Sequence, residues 1–416
     1  MIFSIEKRHK GESRVDSPDE PALRRALVTL SVTEIVSWGT LYYAFPVSLP
    51  SITRATGWPA TATMCAFSLG LVTSAVACVP VGRLLDRHGP RWVMSAGSVL
   101  GCLSLMAVAT APSLPWFTAA WALVGIAQAA ALYPPAFAAL TRWYGPRRLR
   151  PLTLLSLAGG LASVVFAPIT AALLAHLDWR TTFLLLAAVL LVTAAPLHLV
   201  YLRAPWPGAE GPRPGTSFSD IRPVVLSREF VLLAATLALA ALSLYATTLN
   251  LVPFLIEKGL GTGTAAGALA LCGTGQILGR LGYPALTRRT TAQHRITVLL
   301  AAGSLTIAFL AAVPGPAPLL CAAAMATGAV RGMFTLLQAT AVSDRWGVRR
   351  YATLNAFATA PAGAALAVAP AAGALLAAGL GSYPAAFLVL AVCVAAGATL
   401  AFVPPGGGSS AGNGEP

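Results

Sequence analysis

Two ionisable side chains stand alone inside long apolar stretches, Glu34 within 26–49 and Arg331 within 317–341. Charge in such surroundings is expensive and is retained for a partner or a function. Glu34, Trp38 and Tyr42 repeat every four residues and are followed by Phe45 and Pro46, so on a helix the acid carries an aromatic wall above it. Thr327, Arg331, Thr335 and Gln338 fall at i, i+4, i+8 and i+11, one polar stripe on an otherwise apolar helix. A guanidinium matches a carboxylate in a two-pronged fashion, which makes Arg331 the candidate anchor for an anionic group. Glu34 is the candidate to bind and release a proton, since burial and a nearby cation act on a carboxyl group in opposite senses. The alternative is a structural ion pair between the two, or separate pairs with backbone and tyrosine hydroxyls. Other apolar stretches contribute Gln128, Gln276, Asn355 and Thr359, with either Tyr245 and Thr248 or Ser243, Thr247 and Asn250 on the stretch 230–256.

The elements that must position these groups are helices of membrane-spanning length. The chain is 56% hydrophobic and only 10% charged, against about 25% charged residues in soluble domains. Its apolar residues come in twelve blocks, at 26–49, 60–81, 92–110, 115–140, 152–175, 180–202, 230–256, 264–283, 296–313, 317–341, 351–378 and 382–403. A helix needs about 20 residues to cross the hydrocarbon layer. Pro46, Pro134, Pro135, Pro168, Pro361 and Pro370 lie inside these blocks, as membrane helices tolerate. Glu34 then lies about 12 Å above the cytoplasmic start of its helix and Arg331 about 15 Å above the end of its own, so their depths agree.

The net charge of +14 would suit nucleic acid, so its placement decides its meaning. With the N-terminus inside, 24 of the 28 lysines and arginines fall in cytoplasmic segments. Outside lie only Arg54, Arg180 and Lys258. The positive-inside rule accounts for this and puts both termini in the cytoplasm, where the basic loops face anionic lipid head groups. No nucleic acid partner is needed. The first 21 residues lack the apolar core of a secretory signal. All six cysteines fall inside predicted helices as packing residues rather than a disulfide framework. His176 and His198 sit near helix ends, and Trp58, Trp116, Trp179 and Tyr383 fall at predicted outer boundaries as interfacial anchors.

Between the second and third blocks runs Gly82-Arg83-Leu84-Leu85-Asp86-Arg87-His88-Gly89-Pro90-Arg91. It reads as a short charged turn in which Gly82 and Gly89 allow close approach and positive φ. Asp86 can accept charge-assisted hydrogen bonds from arginine or from backbone N–H groups. The spacing Gly-x-Leu-x-Asp-Arg-x-Gly-x-Arg resembles the signature loop between helices 2 and 3 of the major facilitator superfamily of secondary transporters. That resemblance implies a conformational latch formed by Gly82, Asp86, Arg87, Gly89 and Arg91, and a central cavity lined by helices 1, 4, 7 and 10. The plainer reading is a solvated turn that only fixes topology.

An internal repeat agrees. Gly82-Arg83-Leu84 recurs as Gly279-Arg280-Leu281, and Gly145, Arg147 and Arg148 recur as Gly347, Arg349 and Arg350. Ala167-Pro168 recurs as Ala369-Pro370. The expected organisation is a cytoplasmic tail at 1–25, a six-helix bundle at 26–202, a Pro-rich cytoplasmic linker at 203–229, a second bundle at 230–403 and a cytoplasmic tail at 404–416. The expected fold is an all-α membrane protein of twelve transmembrane helices in two pseudo-symmetric six-helix bundles, with substrate held between them near the midplane.

The expected function is secondary active transport of a small organic solute by alternating access, coupled to protons, in a monomer of the plasma membrane. Glu34, Trp38-Gly39, Tyr42, Tyr43, Phe45 and Pro46 resemble the bacterial monocarboxylate and oxalate:formate branch, which implies a carboxylate solute. The alternative is a drug or metabolite efflux antiporter. Such antiporters carry Gly-Pro-x-x-Gly-Gly in helix 5, where this chain has Ala167-Pro168-Ile169-Thr170-Ala171-Ala172. A membrane enzyme or sensor is the reading outside transport, but no nucleophile cluster or sizeable extramembrane domain appears. No metal constellation and no GK[ST] phosphate loop occurs in the sequence, so no metal or cofactor is expected.

Overall fold

The computed structural model describes residues 20–206, 218–348 and 351–402. The expected tail residues 1–19 and 404–416, the linker stretch 207–217 with Arg213, and Arg349 and Arg350 lie outside the described residues. Within them every regular element is helical. Helix 1 covers 20–56, helix 2 Ala60–His88, helix 3 Pro90–Ala109, helix 4 Leu114–Arg147, helix 5 Leu149–His176 and helix 6 Trp179–Tyr201. A short helix, Phe218–Val225, precedes helix 7 at 228–257. Helix 8 follows at Thr262–Arg289, helix 9 at Ala292–Ala312, helix 10 at Ala317–Trp346, helix 11 at Tyr351–Leu380 and helix 12 at Tyr383–Phe402. Among the described residues, ten helices are long and apolar enough to cross a membrane.

The same packing plan appears in both halves. Helix 2 lies along helix 4, and helix 3 lies against helices 4 and 6; in the second half, helix 8 lies along helix 10, and helix 9 against helices 10 and 12. Glycine permits the tightest of these approaches. A Cβ on Gly125 would run into the carbonyl oxygen of Gly70, and Cβ atoms on Gly328 and Gly332 would run into those of Cys272 and Gln276. Lipid offers no hydrophobic drive between helices, so backbone proximity through small residues supplies the dispersion contact instead.

The halves meet where helix 2 packs on helix 11 and where helix 5 packs on helices 8 and 10. Asp86, Arg148 and Asp344 cluster at one end of the molecule, hereafter the arginine-rich end. At the other end, residues 44–56 of helix 1 have their principal neighbours in helices 2, 5 and 6, and Leu251–Glu257 of helix 7 in helices 8 and 12, each within its own half.

Two cations on that other end have structural tasks. The Arg180 guanidinium donates to the carbonyls of Ala109 and Ala111 at 2.6 and 2.8 Å, closing the C-terminus of helix 3. Lys258 donates to the carbonyls of Leu310, Ala311 and Val313, closing helix 9. Cations there answer the orphan carbonyls and the negative end of the helix dipole. Asp178 caps the N-terminus of helix 6 through Arg180 N and Thr181 N, and the Thr181 hydroxyl helps hold its carboxyl below the usual aspartate range.

Several expectations change. The segment 82–91 is not a turn: helix 2 runs on to His88, helix 3 starts at Pro90, and Gly89 alone breaks the chain with φ of 76°. Gly82 therefore serves close approach only, a Cβ there lying 2.9 Å from the Ala352 carbonyl oxygen of helix 11. Arg280 leaves the set of loop cations, because helix 8 continues to Arg289 and buries it. Trp179 is not an interfacial anchor but a core residue, 3% exposed beneath Phe117 and Phe183. His198 is fully buried, bonded to Ser98 at 3.2 Å and to Thr33 at 2.9 Å.

Candidate functional site

Helix 1 is irregular next to Glu34. Residues Gly39–Tyr43 form a π-helical turn, a local widening of the helix often found at functional positions. A Cβ on Gly39 would run into the Phe166 ring of helix 5. The bulge departs from the four-residue spacing that Tyr42 would have kept on a regular helix, and Trp38 ends with its ring 5.3 Å from Tyr42 and 6.2 Å from Tyr43. Helix 4 is irregular too: Leu132 is extended, with Pro134 and Pro135 immediately after. At this break Tyr133 places its ring 5.0 Å from Trp38 and donates its hydroxyl to the Ser156 carbonyl at 3.0 Å. Two broken helices thus build an aromatic box of Trp38, Tyr42, Tyr43 and Tyr133.

Glu34 lies at the foot of that box, fully buried, with both carboxylate oxygens lacking a hydrogen-bond partner. The Trp38 indole N–H is near enough to act on it, yet makes no well-formed hydrogen bond. Ser37 Oγ is likewise unpartnered. Buried polar groups are nearly always paired, so a cluster of orphans calls for an explanation. The expected alternative of a Glu34–Arg331 ion pair is absent.

Arg331 instead spreads its guanidinium over the Tyr245 ring of helix 7, 4.2 Å from the centroid. Tyr245 and Arg331 both lie within electrostatic reach of Tyr42 across the junction of the halves. Of the two polar stripes considered for helix 7, Tyr245 belongs to the one that reaches helix 10. Ser243 and Thr247 on the other are buried with unpartnered hydroxyls. Asn355 on helix 11 is 6% exposed with its Oδ1 unpartnered.

Other candidates are already satisfied. Gln128 donates to the Leu41 carbonyl at 2.8 Å, within the first half. Asn250 donates to the carbonyls of Ala246 and Pro370, tying helix 7 to helix 11. Thr327 returns its hydroxyl to Ala323 and Thr335 to Arg331 within helix 10, while Gln338 is half-buried near that helix's end.

Two residues of this region were not singled out by spacing. Tyr133 is one. Arg280 is the other, 6% exposed on helix 8, with its Nε unpartnered and its Nη1 where a Cβ on Gly160 of helix 5 would go. Tyr133 lies within electrostatic range of both Glu34 of its own half and Arg280 of the other. The signal for Arg280 was its position eight residues before Arg288, inside the apolar block 264–283; for Tyr133 it was the two prolines that follow.

The five latch candidates separate. Asp86 accepts from Thr353 N at 3.1 Å and from the Thr353 hydroxyl at 2.7 Å, across the halves, with Arg142 at 3.9 Å. Gly82 and Gly89 admit Ala352 and Trp206. Arg91 donates to the Leu199 carbonyl of helix 6, and Arg87 is exposed without a hydrogen bond or ion pair among the described residues. A second bridge spans the halves beside them, Arg148 to Asp344 at 2.7 Å, with Arg295 holding the other Asp344 oxygen at 2.6 Å.

Comparison with known proteins adds to this geometry. The sequence profile of the Major Facilitator Superfamily matches residues 30–318. The crystal structure of the E. coli fucose:proton symporter FucP superimposes with a TM-score of 0.72 over 91% of this chain and 98% of that one, at 14% identity. An uncharacterised 38 kDa protein of Thermoproteus tenax is 32% identical over 51% of this chain and 55% of its own length. Monocarboxylate transporter 13 of Bos taurus is 27% identical over 59% of this chain and 55% of its own. The chain spans a little over half the length of these curated relatives.

Proposed function

The chain belongs to the Major Facilitator Superfamily and is a multi-pass membrane transporter of that fold, and we propose that it carries a small organic carboxylate coupled to protons. The two bundles, 26–202 and 230–403, would rock about a site bounded by helices 1, 4, 7, 8 and 10. Similarity to a monocarboxylate transporter supports the solute class, and similarity in fold to a proton symporter fits the coupling. The lysine and arginine distribution supports a plasma-membrane orientation with both termini cytoplasmic, the arginine-rich end facing inward.

One observation carries the reading: the unpartnered Glu34 carboxylate lies at the foot of the aromatic box, and two guanidiniums of the other half come within electrostatic range of that box, Arg280 at Tyr133 and Arg331 at Tyr42. An unpaired carboxyl group changes its protonation when a cation or water reaches it. A solute carboxylate held by Arg280 or Arg331 would screen that cation from Glu34. Solute occupancy and proton binding are thereby linked, and linkage of this kind is reciprocal.

The test uses proteoliposomes with an imposed pH gradient and a panel of short monocarboxylates. The native protein accumulates solute against its gradient. Glu34→Gln keeps solute exchange between the two sides but no longer accumulates solute when only protons drive it. Gradient-driven accumulation surviving in Glu34→Gln would remove Glu34 from the coupling mechanism, and a panel with no transported acid would remove the solute class.

A further inference from the structure

Away from the central path, the starts of helices 1 and 5 and the end of helix 6 enclose a groove of about 900 Å³ on the outside of the first bundle, at the arginine-rich end. Two matched stripes line it. On helix 1, Arg24, Val28 and Val32 fall at i, i+4 and i+8, and on helix 5, Arg150 and Leu154 fall at i and i+4. Each stripe therefore carries a guanidinium at its head and apolar side chains about 6 Å and further along the helix axis. Val28, Val32 and Leu154 are 58, 43 and 54% exposed.

Charge at the mouth is unbalanced. Glu20 is the one carboxylate among the lining residues, and it meets Arg147 at 3.5 Å, where both are largely exposed to screening. Arg24, Arg25 and Arg150 have no carboxylate partner among the described residues. The groove thus combines a cationic rim with an apolar floor that runs into the hydrocarbon zone. Only an amphiphile with an anionic head satisfies both at once: a soluble anion leaves the floor bare, and a zwitterionic lipid brings its own cation to the arginines.

We propose that this groove holds one anionic phospholipid of the bilayer, its phosphate between Arg24 and Arg150 and an acyl chain along Val28, Val32 and Leu154. The inference rests on the chain crossing a membrane and not on its solute. The lipid lies against the segment 147–150, from which Arg148 crosses to Asp344 of the other half.

Native mass spectrometry of the full chain, delipidated in neutral detergent, tests this with phosphatidylglycerol and phosphatidylcholine of identical acyl chains. One phosphatidylglycerol should be retained in preference to phosphatidylcholine. Arg24→Gln/Arg150→Gln should weaken its retention about thirtyfold, from two lost head-group contacts. Arg24→Lys/Arg150→Lys should keep most of it, which separates charge from folding. Arg222→Gln/Arg228→Gln removes the same charge elsewhere and should leave retention unchanged. Glycerol phosphate should fail to displace the lipid. Equal retention of the two lipids, full retention in the double glutamine variant, equal loss in the Arg222/Arg228 control, or displacement by glycerol phosphate would each overturn the proposal.

Discussion

Arg331 and Arg280 differ in what already satisfies them. Arg331 rests on the Tyr245 ring, a contact that stabilises a desolvated cation by about 2 kcal/mol and leaves its edge free to swing. Arg280 has an unpartnered Nε and a guanidinium pressed against Gly160, with no comparable ring beneath it among the described residues. A buried cation so poorly compensated gains most from an incoming carboxylate. We therefore expect Arg280→Gln to weaken solute affinity about a hundredfold, within the range for truncating one partner of a buried charge pair. Arg331→Gln should cost less, about tenfold, the cation–π contact having already offset part of its desolvation. Equilibrium binding of the transported acid to purified protein measures both. The reverse ranking would make Arg331 the anchor, as its stripe with Thr327, Thr335 and Gln338 suggested. Spacing exposes Glu34 and Arg331 because each is the lone charge of its apolar block, 26–49 and 317–341. It passes over Arg280 because three further arginines follow within fifteen residues and a repeat motif assigns it to a loop.

Helix pairing is where glycine acts. Gly275 and Gly279 of helix 8 and Gly328 and Gly332 of helix 10 are each spaced by four, and a Cβ on any of them would run into a backbone atom of the facing helix. Backbone cannot move aside as a flexible side-chain end can. Gly328→Ala should therefore destabilise the second bundle by about 1–3 kcal/mol, the usual cost of overpacking. Gly273→Ala, with nothing within 4 Å of its Cβ position, should leave stability unchanged or raise it through helix propensity. Thermal unfolding in detergent compares the two, and equal midpoints would mean that the helices separate freely. Twelve helical segments coincide with the apolar blocks of the sequence, and ten of them are long and apolar enough among the described residues to cross a membrane. Their ends were not legible there. Helix 2 carries four ionisable residues, Arg83, Asp86, Arg87 and His88, in its last turns. They read as loop because the partners of Asp86, Thr353 and Trp206 from distant parts of the chain, are invisible in local sequence, while Arg83, Arg87 and His88 stay exposed at the helix end. The π-turn at Gly39–Tyr43 and the break at Leu132 were hidden for the same reason, as both depend on facing helices.

At the scale of the molecule, the bridges that join the halves gather at one end. Asp86 to Thr353 and Arg148 to Asp344 both cross between bundles there, whereas the far portions of helices 1 and 7 have their principal neighbours, among the described residues, in their own halves. The structure is thus held shut at its arginine-rich end, and the free energy of these contacts sets how rarely that end opens. Arg148→Gln is the cleanest perturbation, because Arg295 still pairs with Asp344 and no carboxylate is left uncompensated. A hydrogen bond between charged groups contributes about 1.5–3 kcal/mol, so the open-to-shut ratio should rise about ten- to a hundredfold. Spin labels on Leu84 in the first bundle and Arg288 in the second, both exposed positions, report the separation as a distance distribution. A longer-distance population should grow in Arg148→Gln and recede in Arg148→Lys, which restores the charge. Asp86→Asn should act in the same direction and add to it in the double variant, since the two bridges share no residue. An unchanged distribution in the double variant would mean that packing of helix 2 on helix 11 through Gly82, rather than charge, holds that end closed.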